Sequence, residues 1–330
     1  MGAVASRLYR FEIGRRNRAF DAGRGVTRLD LPVISVGNLS VGGTGKTPFV
    51  EWVAVRLIAA GRRPCIAMRG YAPGGGESDE AAQYRMSLGE VPIVAQADRI
   101  RGVRELLATD DGGRVDCIVL DDGFQHRRLA RDLDIVLIDA TRSPFEDRLL
   151  PAGWLREPVE SLRRASLVVV TRCDQGDVAT IDAGLRRVLG READAACRHG
   201  WREVSVRRSE REGGGDVAEG VETLRGLDVC LVSAIGNPGA FRRQALAHGA
   251  RIVREVVLAD HDPYERATVE RVCRASEGAG AILTTAKDWM KLRRHPFPLR
   301  VVRPRVEMVF ERGGEEVEKR LIATVPPTTG

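Results

Sequence analysis

The sequence predicts an α/β protein, a mostly parallel sheet covered by helices, with a second, smaller α/β domain after it. Three observations lead there. Short β-branched apolar runs recur from residue 32 onward and are continuous rather than alternating, which means strands buried on both faces. Amphipathic stretches of helical period lie between several of them. The pattern is interrupted once, by an acidic stretch holding Gly213-Gly214-Gly215, and then resumes.

Taken in order, residues 1–28 form a basic N-terminal segment with arginines at 7, 10, 15, 16, 18, 24 and 28. Val4, Leu8 and Phe11 share one helical face there. Two readings stand side by side: a helix lying on an anionic membrane surface, or a solvated helix packing a few apolar residues on the domain. A first domain follows over 29–209. Its expected strands are Val33–Val36, Cys65–Met68, Ile93–Ala95, Cys117–Leu120, Ile135–Ile138 and Leu167–Val170, with helices over Phe49–Ile58 and Asp98–Leu107. Residues 210–225 read as a linker. The smaller domain, 226–330, opens with strands Val229–Val232, Ile252–Val257 and Ala281–Leu283.

Composition sets bounds. With 330 residues, 43% hydrophobic and 30% charged, the chain is long enough for two ordinary globular domains and too apolar for wholesale disorder. No apolar run approaches the ~18 residues of a spanning helix, and no apolar stretch follows the first arginines as a secretory signal requires. The six cysteines form no CxxC pair, which excludes a zinc ribbon and fits a reducing compartment. Net charge is +6, almost all from arginine, and no aromatic-rich basic stretch argues for nucleic acid. Lysine occurs only at 46, 287, 291 and 319, so each marks a place where a compact point charge can matter.

Chemistry concentrates first at Ser40-Val41-Gly42-Gly43-Thr44-Gly45-Lys46-Thr47, between a buried strand and an amphipathic helix. That is the setting of a phosphate-binding loop, and it makes the expected fold P-loop NTPase-like. Glycines let backbone N–H groups turn toward phosphate oxygens and the helix N-terminus adds positive potential. Lys46 would reach the β- and γ-phosphates, and Thr47 would offer its hydroxyl to Mg²⁺. Ser40 stands where the common pattern has its first glycine. The second concentration is Cys117–Leu120 followed by Asp121-Asp122-Gly123-Phe124-Gln125-His126. An apolar strand ending in acid delivers a carboxylate to the carboxyl edge of the sheet, where Asp121 or Asp122 would hold the metal, directly or through water. Asp122, Gln125 and His126 are candidates for the surrounding shell. A GTPase fits less well: Thr171-Arg172-Cys173-Asp174 echoes a guanine-reading [NT]KxD with its lysine replaced, and Gly123 comes one residue early for DxxG.

Val36–Pro48 resembles the opening motif of the tetraacyldisaccharide 4′-kinases of lipid A biosynthesis. The same family is echoed, in order, by Asp121–His126, by Leu149-Leu150-Pro151-Ala152-Gly153-Trp154-Leu155-Arg156-Glu157, by Asp260-His261 and by Thr284-Thr285-Ala286-Lys287-Asp288. The resemblance implies a phosphotransferase with an alcohol acceptor, using ATP and Mg²⁺. It implies transfer of the γ-phosphate to the 4′-hydroxyl of a tetraacylated glucosamine disaccharide 1-phosphate at the cytoplasmic face of the inner membrane. Lys46 and Thr47 would serve phosphate and metal, and Asp121 and Glu157 the metal and nucleotide. Asp79, in Ser78-Asp79-Glu80, would be the catalytic base and His261 its support. The pattern is broken at Ser78, Ala81, Asp262 and Ala286, where the family has other residues. The competing reading is a P-loop regulatory or assembly ATPase or GTPase without a lipid substrate, which has no reason to carry Leu149–Glu157. The sequence names no protein partner.

Overall fold

The computed structural model describes residues 2–42, 44–70, 78–208, 215–260 and 262–327. They fall into two compact units, Met1–His199 with Met308–Gly330, and Gly200–Glu307.

The first unit opens with α1 (Gly2–Asp21) and then alternates strand and helix: β1 (Val33–Asn38), α2 (Lys46–Ala59), β2 (Pro64–Met68), α3 (Asp79–Leu88), β3 (Ile93–Ala95) and α4 (Arg99–Leu107). After these come β4 (Cys117–Asp121), β5 (Leu133–Asp139), β6 (Leu167–Thr171), α5 (Val178–Leu189) and the start of β7 (Ala195–Arg207). The strand order is β7-β6-β5-β1-β4-β2-β3, and each neighbouring pair is parallel. β1, β2, β4 and β6 are buried at every residue, as continuous apolar runs require. Side chains close the helix starts: Ser78 accepts from Ala81 N, Asp98 from Arg101 N and Asp177 from Thr180 N. The helix expected over Asp98–Leu107 thus begins one residue later, with Asp98 as its cap.

Register decides where the chemistry sits. Val36 pairs with Asp121, so β1 and β4 end nearly level, and the segments after them emerge side by side at the carboxyl edge of the sheet. Their close approach depends on Gly37: a Cβ there would lie 2.6 Å from Phe124.

The second unit holds the rest of β7, then β8 (Asp216–Gly220), β9 (Asp228–Ser233), α6 (Pro238–Ala247), β10 (Arg251–Val257), α7 (Arg266–Ala275), β11 (Ala281–Thr284), α8 (Ala286–Leu292) and most of β12 (Val301–Arg312). β10, β9, β11 and β12 pair in parallel in that order, and β8 runs antiparallel to β7.

These units divide the chain differently from the expected 29–209 and 226–330. The break falls at His199, ahead of the 210–225 stretch, part of which is the paired strand β8. The C-terminal end returns to the first unit through α9 (Gly314–Thr324). The cause is apolar: Met308, Val317, Leu321 and Val325 join the buried cluster of Phe49, Val53 and Leu57 from α2.

Candidate active site

Between β1 and α2 the described residues are 39–42, 44 and 45, and Lys46 and Thr47 open the helix. Ser40 bridges to Leu155, Val41 N donates to Trp154 O at 2.8 Å, and Arg156 N donates to Leu39 O at 2.7 Å. The loop is therefore framed by the segment Leu149–Glu157, more than a hundred residues away in sequence. Thr44 is fixed from two sides: Asn38 Nδ2 donates to its hydroxyl at 2.9 Å, and the Thr171 hydroxyl donates to its carbonyl at 3.0 Å. Gly45 turns the chain into α2 at φ +80°, and a Cβ there would meet the His199 ring at 2.7 Å. The Thr171–Asp174 stretch that echoed a guanine-reading motif thus supports the loop through Thr171, while Arg172 pairs with Asp139. Gly43 and His261, and the side chain of Val4, lie outside the described residues.

Lys46 and Thr47 begin α2 beside the two acids that end β4. Lys46 Nζ stands 3.6 Å from Asp122 Oδ1. Asp122, in a left-handed backbone conformation at φ 50°, also receives Arg156 Nη1 at 2.6 Å on Oδ2, and its carbonyl accepts from Arg99 Nη1 at 3.2 Å. Burial alone would raise the Asp122 carboxyl, but Lys46 and Arg156 outweigh it and hold the group below its ordinary range. Asp121 behaves the opposite way. It is buried, burial raises it, and the charge of Lys46 offsets only part of that. Its Oδ2 accepts from the Tyr84 hydroxyl at 3.0 Å, and its Oδ1 is buried without a hydrogen-bond partner.

Gln125 ties this corner together, with Nε2 on Asn38 O at 2.9 Å and Oε1 beside Arg156 Nη1 at 3.4 Å. His126 is half-buried, and burial, then Arg99, pushes its imidazole down to about 4. Asp122 is partnered by Lys46 and Arg156 rather than by this histidine. Glu157 is fully buried; its oxygens are held by Asn17 Nδ2 of α1 at 2.8 Å and by Arg164 at 3.0 Å. Asp79 is the first residue of α3, half-buried, and the cap of that helix is Ser78 rather than Asp79. Five residues on, the same helix supplies Tyr84.

In the second unit, Lys287 Nζ lies 3.1 Å from Asp260 Oδ1 and Lys291 Nζ donates to Asp262 O at 3.0 Å. Asp288 is buried, accepting from Ala234 N and from the Thr285 hydroxyl, so it fastens the start of α8 to the end of β9. Asp260 caps no helix, since α7 starts at Arg266 after Glu265.

Three contributors escaped sequence reasoning. Tyr84 reads as one more interior aromatic of an amphipathic helix, Arg99 as the exposed residue after a cap, and His199 as a strand residue. A buried arginine has no signature in one sequence, because its partner here is the carbonyl of Asp122, which no side chain announces.

A lysine over a glycine-rich turn, facing two strand-end acids framed by Leu149–Glu157, is a specific constellation. The profile of the tetraacyldisaccharide-1-P 4′-kinases matches residues 2–325. The chain belongs to that family. Tetraacyldisaccharide 4′-kinases from Anaeromyxobacter sp. (strain Fw109-5) and Geobacter sulfurreducens are 36% and 35% identical to it. The matches cover 98% and 89% of this chain, and 90% and 84% of those proteins. The crystal structure of the Aquifex aeolicus kinase LpxK in complex with ATP superposes with a TM-score of 0.76 at 30% identity, covering 98% of each chain. Family membership makes the chain a phosphotransferase with a hydroxyl acceptor in lipid A biosynthesis, and sets aside the regulatory ATPase or GTPase.

Proposed function

We propose that this kinase transfers the γ-phosphate of ATP to the acceptor's 4′-hydroxyl at the end of β1 and β4, while α1 rests on an anionic membrane surface at the cytoplasmic face of the inner membrane. The observation that carries the first part is the Lys46–Asp122–Arg156 cluster beside the vacant hydrogen-bonding capacity of Asp121 Oδ1. Lys46 draws in the β- and γ-phosphates, and backbone N–H groups at the start of α2 take the remaining oxygens. Asp122 keeps Lys46 and Arg156 in place and separates two like charges.

The residues fit Mg²⁺. The ion prefers one or two carboxylates, with phosphate and water oxygens completing its shell, and Thr47 and the unpartnered Asp121 oxygen supply oxygen donors of that kind. Among the described residues no group of three His, Cys, Asp or Glu gathers, in keeping with a site that shares its cation with the nucleotide. When bound, the ion neutralises charge on the phosphates. Glu157, held by Asn17 and Arg164, acts by fixing the turn before it, in which Arg156 reaches Asp122. Asp79 is taken as the base on the resemblance: its carboxylate would accept the proton of the 4′-hydroxyl as that oxygen attacks the γ-phosphorus and the bond from phosphorus to the leaving ADP oxygen breaks. His261 is assigned to support it, on the resemblance alone.

The membrane reading rests on α1. No helix among the described residues is long and apolar enough to cross a membrane. One side of α1 is fastened to Leu149–Glu157 by Ser6 to Leu149 O and Tyr9 to Arg156 O, each at 3.0 Å. The other side turns outward Leu8 and Phe11, 68% and 66% exposed, among exposed Arg7, Arg10, Arg15 and Arg18, of which Arg15 is paired with the exposed Glu12 at 2.6 Å. Apolar residues in a basic surround suit the interface of an anionic bilayer. The deciding experiment is transfer of labelled phosphate from γ-labelled ATP to purified tetraacyldisaccharide 1-phosphate in anionic vesicles. Labelled lipid product, absent with Lys46→Ala, is expected; ATP hydrolysis without labelled lipid would return the chain to the regulatory ATPases.

A further inference from the structure

α3 begins at Asp79 and carries Tyr84, whose ring is completely buried. A tyrosine hydroxyl is rarely buried without a purpose for its proton. Here it donates to Asp121 Oδ2 at 3.0 Å, and the Thr47 hydroxyl lies next to the Tyr84 oxygen. Asp121 Oδ1 is left buried and without a hydrogen-bond partner.

This arrangement solves a problem that any hydroxyl ligand faces. A threonine that offers a lone pair to a cation must send its own proton elsewhere. A carboxylate that serves the same cation must present one chosen oxygen. A hydroxyl beside both can do both: it offers a lone pair toward the Thr47 proton, donates to one Asp121 oxygen, and leaves the other oxygen for the cation.

We infer that Tyr84 is a positioning residue, an orienting hydroxyl inserted between the two cation ligands Thr47 and Asp121 that selects Asp121 Oδ1 as the cation-facing oxygen. The inference rests on the cation reading given above. Tyr84 touches no reacting atom. Because Asp79 and Tyr84 share α3, the same bond also pins the helix that carries the base to the end of β4.

The test is direct binding of Mn²⁺ by electron paramagnetic resonance in the presence of a non-hydrolysable ATP analogue. Wild type is compared with Tyr84→Phe, which keeps the buried ring and removes only the hydroxyl. Loss of a group that orients a metal ligand costs 10–100-fold in metal affinity, and a loss in that range is expected. Affinity for the analogue in EDTA should stay within threefold. Unchanged Mn²⁺ affinity in folded Tyr84→Phe overturns the inference. Asp121→Asn separates the two levels: if it too binds Mn²⁺ like wild type, the cation reading itself fails, whereas a loss there with none in Tyr84→Phe removes only the orienting role. Should Tyr84→Phe not fold, wild-type protein labelled at tyrosine Cζ serves instead. The signal that survives Tyr9→Phe, Tyr71→Phe and Tyr264→Phe should shift when Mg²⁺ is added to the nucleotide complex, and a signal that does not move overturns the inference.

Discussion

The end of β4 and the helix α1 both concentrate charge, and they do so in opposite ways. At β4 each charge is at least partly buried and each has a chosen partner: Asp122 holds Lys46 and Arg156, and Asp121 holds Tyr84. Along α1 the exposed charges are Arg7, Arg10, Arg18 and the solvent-facing Glu12–Arg15 pair, next to Leu8 and Phe11, which are exposed with them. Buried pairs are cooperative, since removing one member strands the other in low dielectric. Solvated charges are additive and screened by salt. The two regions should therefore fail differently: the first at a single atom, the second by degrees.

The sharpest break belongs to Lys46. Lys46→Ala should lower kcat by at least about 10³-fold, the order expected when a charge acting on the transferred phosphoryl group is lost, while circular dichroism stays that of a folded chain and the melting temperature falls, because Asp122 is left to Arg156 alone. Lys46→Arg should recover little of it, since a planar fork does not fit a turn shaped around a point charge. Near-native turnover in the arginine variant would remove Lys46 from the reaction. Asp79→Asn comes next, with kcat lower by about 10²–10⁴-fold and the KM for ATP little changed. The alternative role as a helix cap is taken by Ser78, so a silent Asp79→Asn would leave α3 without a base. Arg156→Gln is milder. It frees Asp122 on one side only, and kcat should fall about 10–100-fold, the range seen when a group that orients an active-site ligand is lost. Full activity would show that Lys46 alone suffices to hold Asp122.

The same contrast explains how much could be read in advance. The nine strands expected from continuous apolar runs all exist; β1, β2, β4 and β6 are buried on both faces, which leaves a mark in any one sequence, whereas β3 is only partly buried and β10 is mostly exposed. β7, β8 and β12 were not foreseen. Ala195–Arg207 and Val301–Arg312 carry arginines and glutamates that pair across strands, as Arg198 with Glu311 and Arg202 with Glu307, and such charges hide the apolar signal. At the site, the residues named by a motif, Lys46, Thr47, Asp121 and Asp122, were legible. Tyr84, Arg99 and His199 act through a bond or packing contact to a residue far along the chain, and only the fold brings those partners together. Glu157 was legible as part of a motif, while its contacts with Asn17 and Arg164 were not.

For α1 the expected outcome is graded. Leu8→Ser with Phe11→Ser should weaken binding to anionic vesicles about 10–100-fold, as expected for two large side chains that lose much of their apolar burial. Replacing single arginines should cost about fivefold each at low salt and less at high salt. Turnover with a short-chain soluble acceptor should be untouched. Sedimentation with vesicles that persists unchanged through 1 M salt and through both apolar substitutions would mean that α1 is not the contact.

The smallest effect separates the regions by acid. Burial first, and Arg172 second, push His199 down to about 4 from an ordinary 6.5. Below pH 6.5 the unfolded chain takes up a proton there while the folded protein stays neutral, so unfolding binds protons and stability falls as the pH drops from 6.5 toward 4. His126, also held at about 4, adds a contribution of the same sign. Asp121 and Asp134, both raised by burial, pull the other way in acid, because the folded state accepts their protons first. The net slope of wild type is thus a difference between opposed groups, and the informative quantity is the change in slope. His199→Gln removes one term. The pH dependence of its unfolding free energy between 6.5 and 4 should be shallower by at most about 1.4 kcal/mol per pH unit, whatever the substitution does to stability at pH 7. Arg10→Ala in α1 serves as the control and should leave the slope alone. Denaturant melts at half-unit pH steps read both. Parallel curves for His199→Gln and wild type would mean that His199 exchanges its proton freely with solvent, and that the packing of its ring against Gly45 opens in the native state.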